Sequence, residues 1–216
     1  MKYENCTIGR FIERPNRFIA RVEIAGRQET VHVKNTGRCK ELLAPQREVA
    51  LVKSGNSARK TQYDLVAVKK PSRGWINIDS QAPNQAVREW LEAQDYDLIK
   101  PEYRYGRSRI DFYLERGTEK ILLEVKGCTL EVAGKGYFPD APTERGVKHL
   151  RELAGAVAAG YAAVVAFVIQ MNGVREVYPN AATHPEFGEA LKEAEAAGVK
   201  IWRLPCRVAA DRLEII

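Results

Sequence analysis

No stretch of about 18 consecutive apolar residues occurs in this 216-residue chain, so no membrane-spanning helix and no membrane partner are expected. The longest apolar run, residues 161–169, has the length of a buried strand. The opening Met1-Lys2-Tyr3-Glu4-Asn5 has no apolar h-region and does not read as a secretory signal. Cysteine is scarce: Cys6, Cys39, Cys128 and Cys206 form no C-x-x-C pair, which argues against zinc. Reduced, mostly buried thiols in a cytoplasmic protein are the expectation. Gly134-Lys135-Gly136 lacks the spacing of a phosphate-binding P-loop. Aromatic residues make up only 8% of the chain, and none cluster with acids into a carbohydrate platform. Internal repeats and low-complexity segments are absent.

What the chain has is charge, unevenly divided. Residues 1–82 hold 16 basic and 8 acidic residues, a net +8, whereas the remaining 18 basic and 20 acidic residues leave −2 of the overall +6. A positive excess confined to one segment points to a polyanionic partner. The same segment reads as five short strands, 7–12, 17–24, 29–34, 48–53 and 63–69, separated by Pro, Gly and Asn breakers. Five short strands in about 70 residues fit a small closed barrel such as an OB-fold. A short helix is expected over 38–43, and Lys70-Pro71-Ser72-Arg73-Gly74 reads as a linker.

Such barrels hold nucleic acid in basic grooves. The candidate contacts are Arg10, Arg14, Arg17, Arg21, Asn35, Thr36, Arg38, Lys53, Arg59 and Lys60. Aromatics are few here (Phe11, Phe18 and Tyr63), so backbone contact with little sequence selectivity is expected. The sequence leaves oligomeric state open, a homodimer included.

The second half alternates helix and strand, which predicts a βαβ element. Helices are expected over 83–94, 143–159 and 185–197, and a buried central strand over 161–170. Thr143 is the expected N-cap of the second helix, and Gly160 closes it. Arg145, His149 and Glu152 form a stripe on that helix which can face substrate.

The most informative stretch lies before it. Arg109-Ile110-Asp111-Phe112-Tyr113-Leu114 and Lys120-Ile121-Leu122-Leu123-Glu124-Val125-Lys126-Gly127 read as the arms of a hairpin. Gly117-Thr118 suits a two-residue type II′ turn, for which paired positions sum to 235. Asp111 then faces Glu124, with Cβ atoms about 4.5–5.5 Å apart. Ile110, Phe112 and Leu114 are expected on the opposite face. Opposed carboxylates repel, and either a proton or a divalent cation relieves them. With Lys126 on the same face, two acids and a lysine around Mg²⁺ or Mn²⁺ are equipment for phosphodiester hydrolysis: the acids hold the ion, and the lysine orients water or stabilises charge.

Asp111 followed by Glu124-Val125-Lys126 resembles the signature of the PD-(D/E)XK nuclease superfamily, although Ile110 stands where its name has proline. Longer strings resemble the sugar fermentation stimulation protein A (SfsA) family across nearly the whole chain. They are Asn35-Thr36-Gly37, Tyr105-Gly106-Arg107-Ser108-Arg109-Ile110-Asp111-Phe112, Gly136-Tyr137-Phe138-Pro139-Asp140-Ala141, and Thr143-Glu144-Arg145-Gly146 with Lys148-His149-Leu150-Arg151-Glu152-Leu153. The resemblance implies an α/β chain, α+β overall. An OB-like DNA-binding barrel would occupy residues 1–82, and a nuclease-like mixed sheet flanked by helices residues 83–216. The nuclease-superfamily resemblance further implies a supplementary metal ligand from Glu89 or Glu102, and hydrolysis to a 5′-phosphate. A non-catalytic DNA-binding regulator is the alternative.

Overall fold

The computed structural model describes every residue except Thr36 and Ser57. The first half carries strands β1 (Cys6–Asn16), β2 (Ile19–Ile24), β3 (Arg27–Val33), β4 (Glu48–Lys53), β5 (Tyr63–Lys70) and β6 (Gly74–Asn77). They lie in the order β3-β2-β1-β4-β5-β6. β5 returns to β3 in parallel, with His32 opposite Asp64 and Val33 opposite Leu65, which closes the first five strands into a barrel. Closure removes the open edge of the sheet. Alternation decides which side chains turn inward: Ala20, Val22, Val31 and Val33 are buried, while Arg21 and Glu23 are exposed.

Two local expectations give way. Residues 38–43 form turns rather than a helix, with the Leu42 and Leu43 N–H groups bonded to the Cys39 carbonyl. Six residues are too few to offset helix nucleation, and Arg47 satisfies the carbonyls of Glu41 and Leu42 directly. The linker read at 70–74 is the tight turn between β5 and β6.

The second half runs α1 (Ala82–Glu92), β7 (Leu98–Tyr105), β8 (Ser108–Arg116), β9 (Glu119–Cys128), β10 (Leu130–Val132), β11 (Lys135–Phe138), α2 (Glu144–Ala158), β12 (Ala162–Ile169), β13 (Val177–Pro179), α3 (Pro185–Ala196), β14 (Lys200–Ala209) and β15 (Arg212–Ile215). Its main sheet has the order β15-β14-β12-β9-β8-β7, parallel at β9-β12-β14 and antiparallel at both margins. β12 is apolar throughout because both its faces are covered. Val165 and Phe167 pack with Val147, Leu150 and Phe187 of α2 and α3, and Val164, Ala166 and Val168 pack with Ala86, Val87 and Leu91 of α1. Thr143 caps α2 through its hydroxyl, which accepts from the Gly146 N–H at 3.1 Å. Among the described residues no helix is long and apolar enough to cross a membrane.

Barrel and sheet are joined by buried polar contacts. The Asn77 N–H donates to the Gln170 carbonyl at 2.9 Å, and Gln170 Nε2 donates to Asn77 Oδ1 at 2.8 Å and to the Asp79 carbonyl at 3.1 Å. Asp79, 1% exposed, is held by Tyr3 and Lys34.

A second tie joins the β5-β6 turn to the hairpin of β10 and β11. Glu131 accepts from Lys70 at 2.5 Å, from Arg73 at 3.2 Å and from the Gly134 N–H at 2.6 Å. Burial opposes its ionisation, but these donors overcome that and hold the carboxyl at about 2. An acid lowered in the folded state stabilises the fold above its unfolded pKa, and that contribution is lost as pH falls toward the folded one. Glu131→Gln is therefore expected to lower the melting temperature above pH 4.5, with the gap closing as pH falls toward 2. Paired melting curves across that range would expose an error if the gap stayed constant.

Candidate metal and nucleic-acid site

β8 and β9 form the expected hairpin. Phe112 faces Leu123, Leu114 faces Ile121 and Arg116 faces Glu119, so the pairs sum to 235. Gly117 has φ +57°, and Thr118 is not among the residues of positive φ, as a type II′ turn requires. Pairing stops at Phe112 and Leu123, one step short of Asp111 and Glu124. There Asp111 replaces a ladder acceptor with its side chain: Oδ2 accepts the Val125 N–H at 2.7 Å. Oδ1 accepts Asn84 Nδ2 from the first turn of α1, also at 2.7 Å.

The face alternation changes at the same point. Ile110 was expected beside Phe112 and Leu114, but it packs in the other core with Tyr113 and Leu122. The change coincides with a strained residue on the neighbouring strand. Glu102 of β7 lies opposite Asp111, between the pairs Pro101–Phe112 and Tyr103–Ile110, and has φ +54°. A non-glycine residue there is strained backbone that the surrounding ladder must hold.

Glu124 is 3% exposed. Its Oε1 takes the Lys126 ammonium at 2.6 Å and His149 Nδ1, from the second turn of α2. Arg145 Nε approaches His149 Nε2 at 3.4 Å, so the ring is held at both nitrogens between Glu124 and Arg145. Glu124 Oε2 is buried and has no hydrogen-bond partner among the described residues. A buried carboxylate oxygen without a donor is costly unless something positive meets it.

The two acids are pushed apart in pKa. Burial, then the Glu124 charge, raises Asp111 above the usual carboxylate range. Burial opposes ionisation of Glu124 as well, but the His149 hydrogen bond and Lys126 outweigh it and hold Glu124 low. The donor set of two carboxylates, one with an orphaned buried oxygen, fits a hard divalent cation.

The other acids lie elsewhere. Glu89 ion-pairs with the Met1 ammonium at 2.7 Å and is five residues, about 140° around α1, from Asn84. Glu102 points outward to Arg109 at 2.8 Å.

The barrel candidates divide by what they touch. Arg14 Nη1 and Nη2 donate to four carbonyls, those of Gly37, Arg38, Arg17 and Asn35, so this residue builds the loop. Asn35 supports the same loop, accepting from the Gly37 N–H and donating to Ile78. A Cβ at Gly37 would lie 2.2 Å from Asp140 Oδ2, so a side chain there would have to displace Asp140 and Asn35. Arg21 pairs with Glu13 and Arg59 with Asp64. Arg10, Arg17, Arg38, Lys53 and Lys60 are exposed, and Arg17 stacks over the exposed Phe18 ring. Thr36 lies outside the described residues.

Two hollows share Arg17 and Gly37. A groove of about 510 Å³ on the barrel has a floor of Phe11, Leu43 and Pro45 and a rim of Arg17, Arg38 and Lys40. A cleft of about 440 Å³ leads from it between the barrel and residues 138–143, and reaches Pro83 and Gly127, the neighbours of Asn84 and Lys126. Asn84, Lys40 and Asp140 were not singled out from sequence as site residues. Asp140 stood only as a letter within a longer string, and none of the three has a neighbour in sequence that gives it meaning.

The architecture is thus an OB-type barrel followed by a mixed sheet whose β8-β9 hairpin sets a half-buried Asp111 near a buried Glu124. Residues 12–78 match the family model described as the SfsA N-terminal OB domain, and residues 81–212 match the sugar fermentation stimulation protein RE domain. The chain belongs to the sugar fermentation stimulation protein (SfsA) family. It is 56% identical over 217 residues to a homologue from Desulfitobacterium hafniense, covering 99% of this chain and 95% of the homologue. A homologue from Clostridium beijerinckii is 53% identical over 219 residues, covering 100% and 96%. The solved structure of Pyrococcus furiosus SfsA in complex with Ca²⁺ superposes with a TM-score of 0.87 at 29% identity, covering all of this chain and 94% of that one.

Proposed function

We propose that this protein is a metal-dependent phosphodiester hydrolase of PD-(D/E)XK type that acts on nucleic acid, DNA foremost, with little sequence selectivity. The observation that carries the reading is the Asp111–Glu124–Lys126 set. Two acids sit where the hairpin ladder ends, with a lysine bonded to one of them and a buried Glu124 oxygen left without a donor among the described residues. Asp111 and Glu124 would hold Mg²⁺ or Mn²⁺, and the Ca²⁺ complex of the Pyrococcus furiosus relative supports a divalent cation in this family. When bound, the cation supplies charge for the phosphoryl oxygens and lowers the pKa of water.

The chain's own groups do the rest. Asn84 and the Val125 N–H fix the Asp111 carboxylate, and His149 fixes Glu124. Lys126 orients the attacking water or neutralises charge developing on phosphorus oxygens. The barrel groove binds the strand: its basic rim meets phosphates and its apolar floor meets bases. The superfamily resemblance implies a 5′-phosphate product, and the reduced cysteines accord with the cytoplasm. All four cysteines are free thiols.

The test is incubation of the full chain with labelled single- and double-stranded DNA and RNA in Mg²⁺, Mn²⁺ or EDTA. Cutting that requires the cation is expected. Binding without cutting under every condition would sink the reading and leave a DNA-binding regulator.

A further inference from the structure

We propose that the hollow between the β7-β8 turn and the start of α2 is a phosphate subsite, which holds a phosphate of the strand beside the scissile one. This rests on the hydrolase reading for its purpose, but its geometry stands independently. The hollow measures about 460 Å³ and is walled by Arg107, Arg109, Arg145 and Lys148 over a floor of Ser108 and His149. The floor connects to the acid pair in one step, because His149 is the residue bonded to Glu124.

Charge is the second argument. Four cations surround one concavity in the half of the chain whose net charge is −2. Their own partners neutralise them poorly. Arg109 meets Glu102 in a pair more than half exposed on both sides, and such pairs contribute little. Lys148 lies 3.7 Å from Glu152, whose Oε1 already accepts from Ser108 at 2.6 Å. Arg145 uses one N–H on His149. Arg107 has no ion pair among the described residues. The rim acid, Glu144, is 84% exposed and has His184 at 3.6 Å. Like charges crowded around a hollow repel one another, and an anion relieves them.

The chemistry selects phosphate among anions. Guanidinium forks match phosphate oxygens in pairs. A strand brought to two carboxylates is itself anionic, so cations must flank the acids for it to approach. The basic hollow lies on the α2 side of Glu124 and supplies them. The phosphate is either the monoester at a strand end or a diester within the strand. Both present the same oxygens, and substrate design separates them.

The experiment measures binding, not cutting. Full-chain protein in EDTA is titrated with 3′-fluorescein oligonucleotides, bearing either a 5′-phosphate or a 5′-hydroxyl, across a range of salt. The variants are Arg107→Ala with Lys148→Ala, and Arg107→Lys as rescue; Arg145 is left intact because it touches His149. The double variant is expected to weaken binding about tenfold, the factor carried by one charged hydrogen bond. It should also flatten the log–log salt slope by about 0.7 for one lost contact on a single strand. Arg107→Lys should retain most of the slope. Loss confined to the 5′-phosphorylated strand assigns the strand end, and equal loss on both assigns an internal phosphate. Unchanged affinity and slope on both strands overturn the subsite, whatever the enzyme cuts. A wild type that shows the slope but never cuts defeats the hydrolase reading and leaves the subsite standing.

Discussion

Glu124→Gln is expected to remove cation-dependent cleavage by about 10²–10³-fold or more, the range seen when one preorganised electrostatic group is deleted. The substitution keeps the shape and leaves an oxygen for Lys126 and His149, so the fold should survive. It takes away the charge of the oxygen that has no hydrogen-bond partner among the described residues. His149→Gln acts through Glu124 and makes a useful contrast. It loosens the carboxylate without removing it, and partners of this kind typically change metal affinity about 10–100-fold. Cleavage rate measured against Mn²⁺ concentration separates the two. The His149 variant should recover as the cation is raised, because its defect is in holding the ion. The Glu124 variant should stay inactive at every concentration. Wild-type cleavage by the Glu124 variant would place the chemistry elsewhere in the molecule.

The contrast between these residues shows what a sequence makes legible. The hairpin register was readable because one local feature, Gly117-Thr118, sets the pairing of every residue on both arms. The same arithmetic brought Asp111 toward Glu124. The covered strand β12 and the cap at Thr143 were readable for a similar reason: each rests on periodicity or on a neighbour three residues away. Asn84, which orients Asp111, and His149, which orients Glu124, lie 27 and 25 residues from their partners. No periodicity records such a pairing; only the packing of α1 and α2 onto opposite faces of the sheet creates it. Arg14 shows the converse. Its charge marked it for nucleic acid, yet its guanidinium is surrounded by four carbonyls of its own loop. Composition counts a cation without telling whether it faces solvent or the chain. The strained backbone at Glu102 was equally hidden, because a positive φ at glutamate has no signature in the letters.

Asp111→Asn is expected to stabilise the protein in EDTA and to abolish its stabilisation by divalent cations. The Asp111 carboxyl is raised first by burial and then by the charge of Glu124. An acid raised in the folded state favours the fold while protonated; that contribution is lost as pH rises through the folded pKa. Above its folded pKa the ionised Asp111 therefore works against folding, and a cation between the acids reverses the effect. Asparagine removes the repulsion. Its new NH₂ group would face a donor at Asn84, but the Asn84 amide can turn to present its oxygen instead. The Val125 N–H keeps an acceptor in the remaining oxygen. A melting temperature about 2–4 °C above wild type is expected in EDTA, the shift that about 1 kcal/mol produces in a chain of this size. Wild type should gain about 5–10 °C from Mg²⁺ or Mn²⁺ at roughly 100 times the dissociation constant. The variant should gain almost nothing, so its advantage in EDTA becomes a deficit in the cation. A crossing of the two melting temperatures as cation is added locates the ion at Asp111 without reference to turnover. Parallel gains in both proteins would place the ion away from Asp111, and a variant less stable than wild type in EDTA would show that the two acids do not oppose the fold.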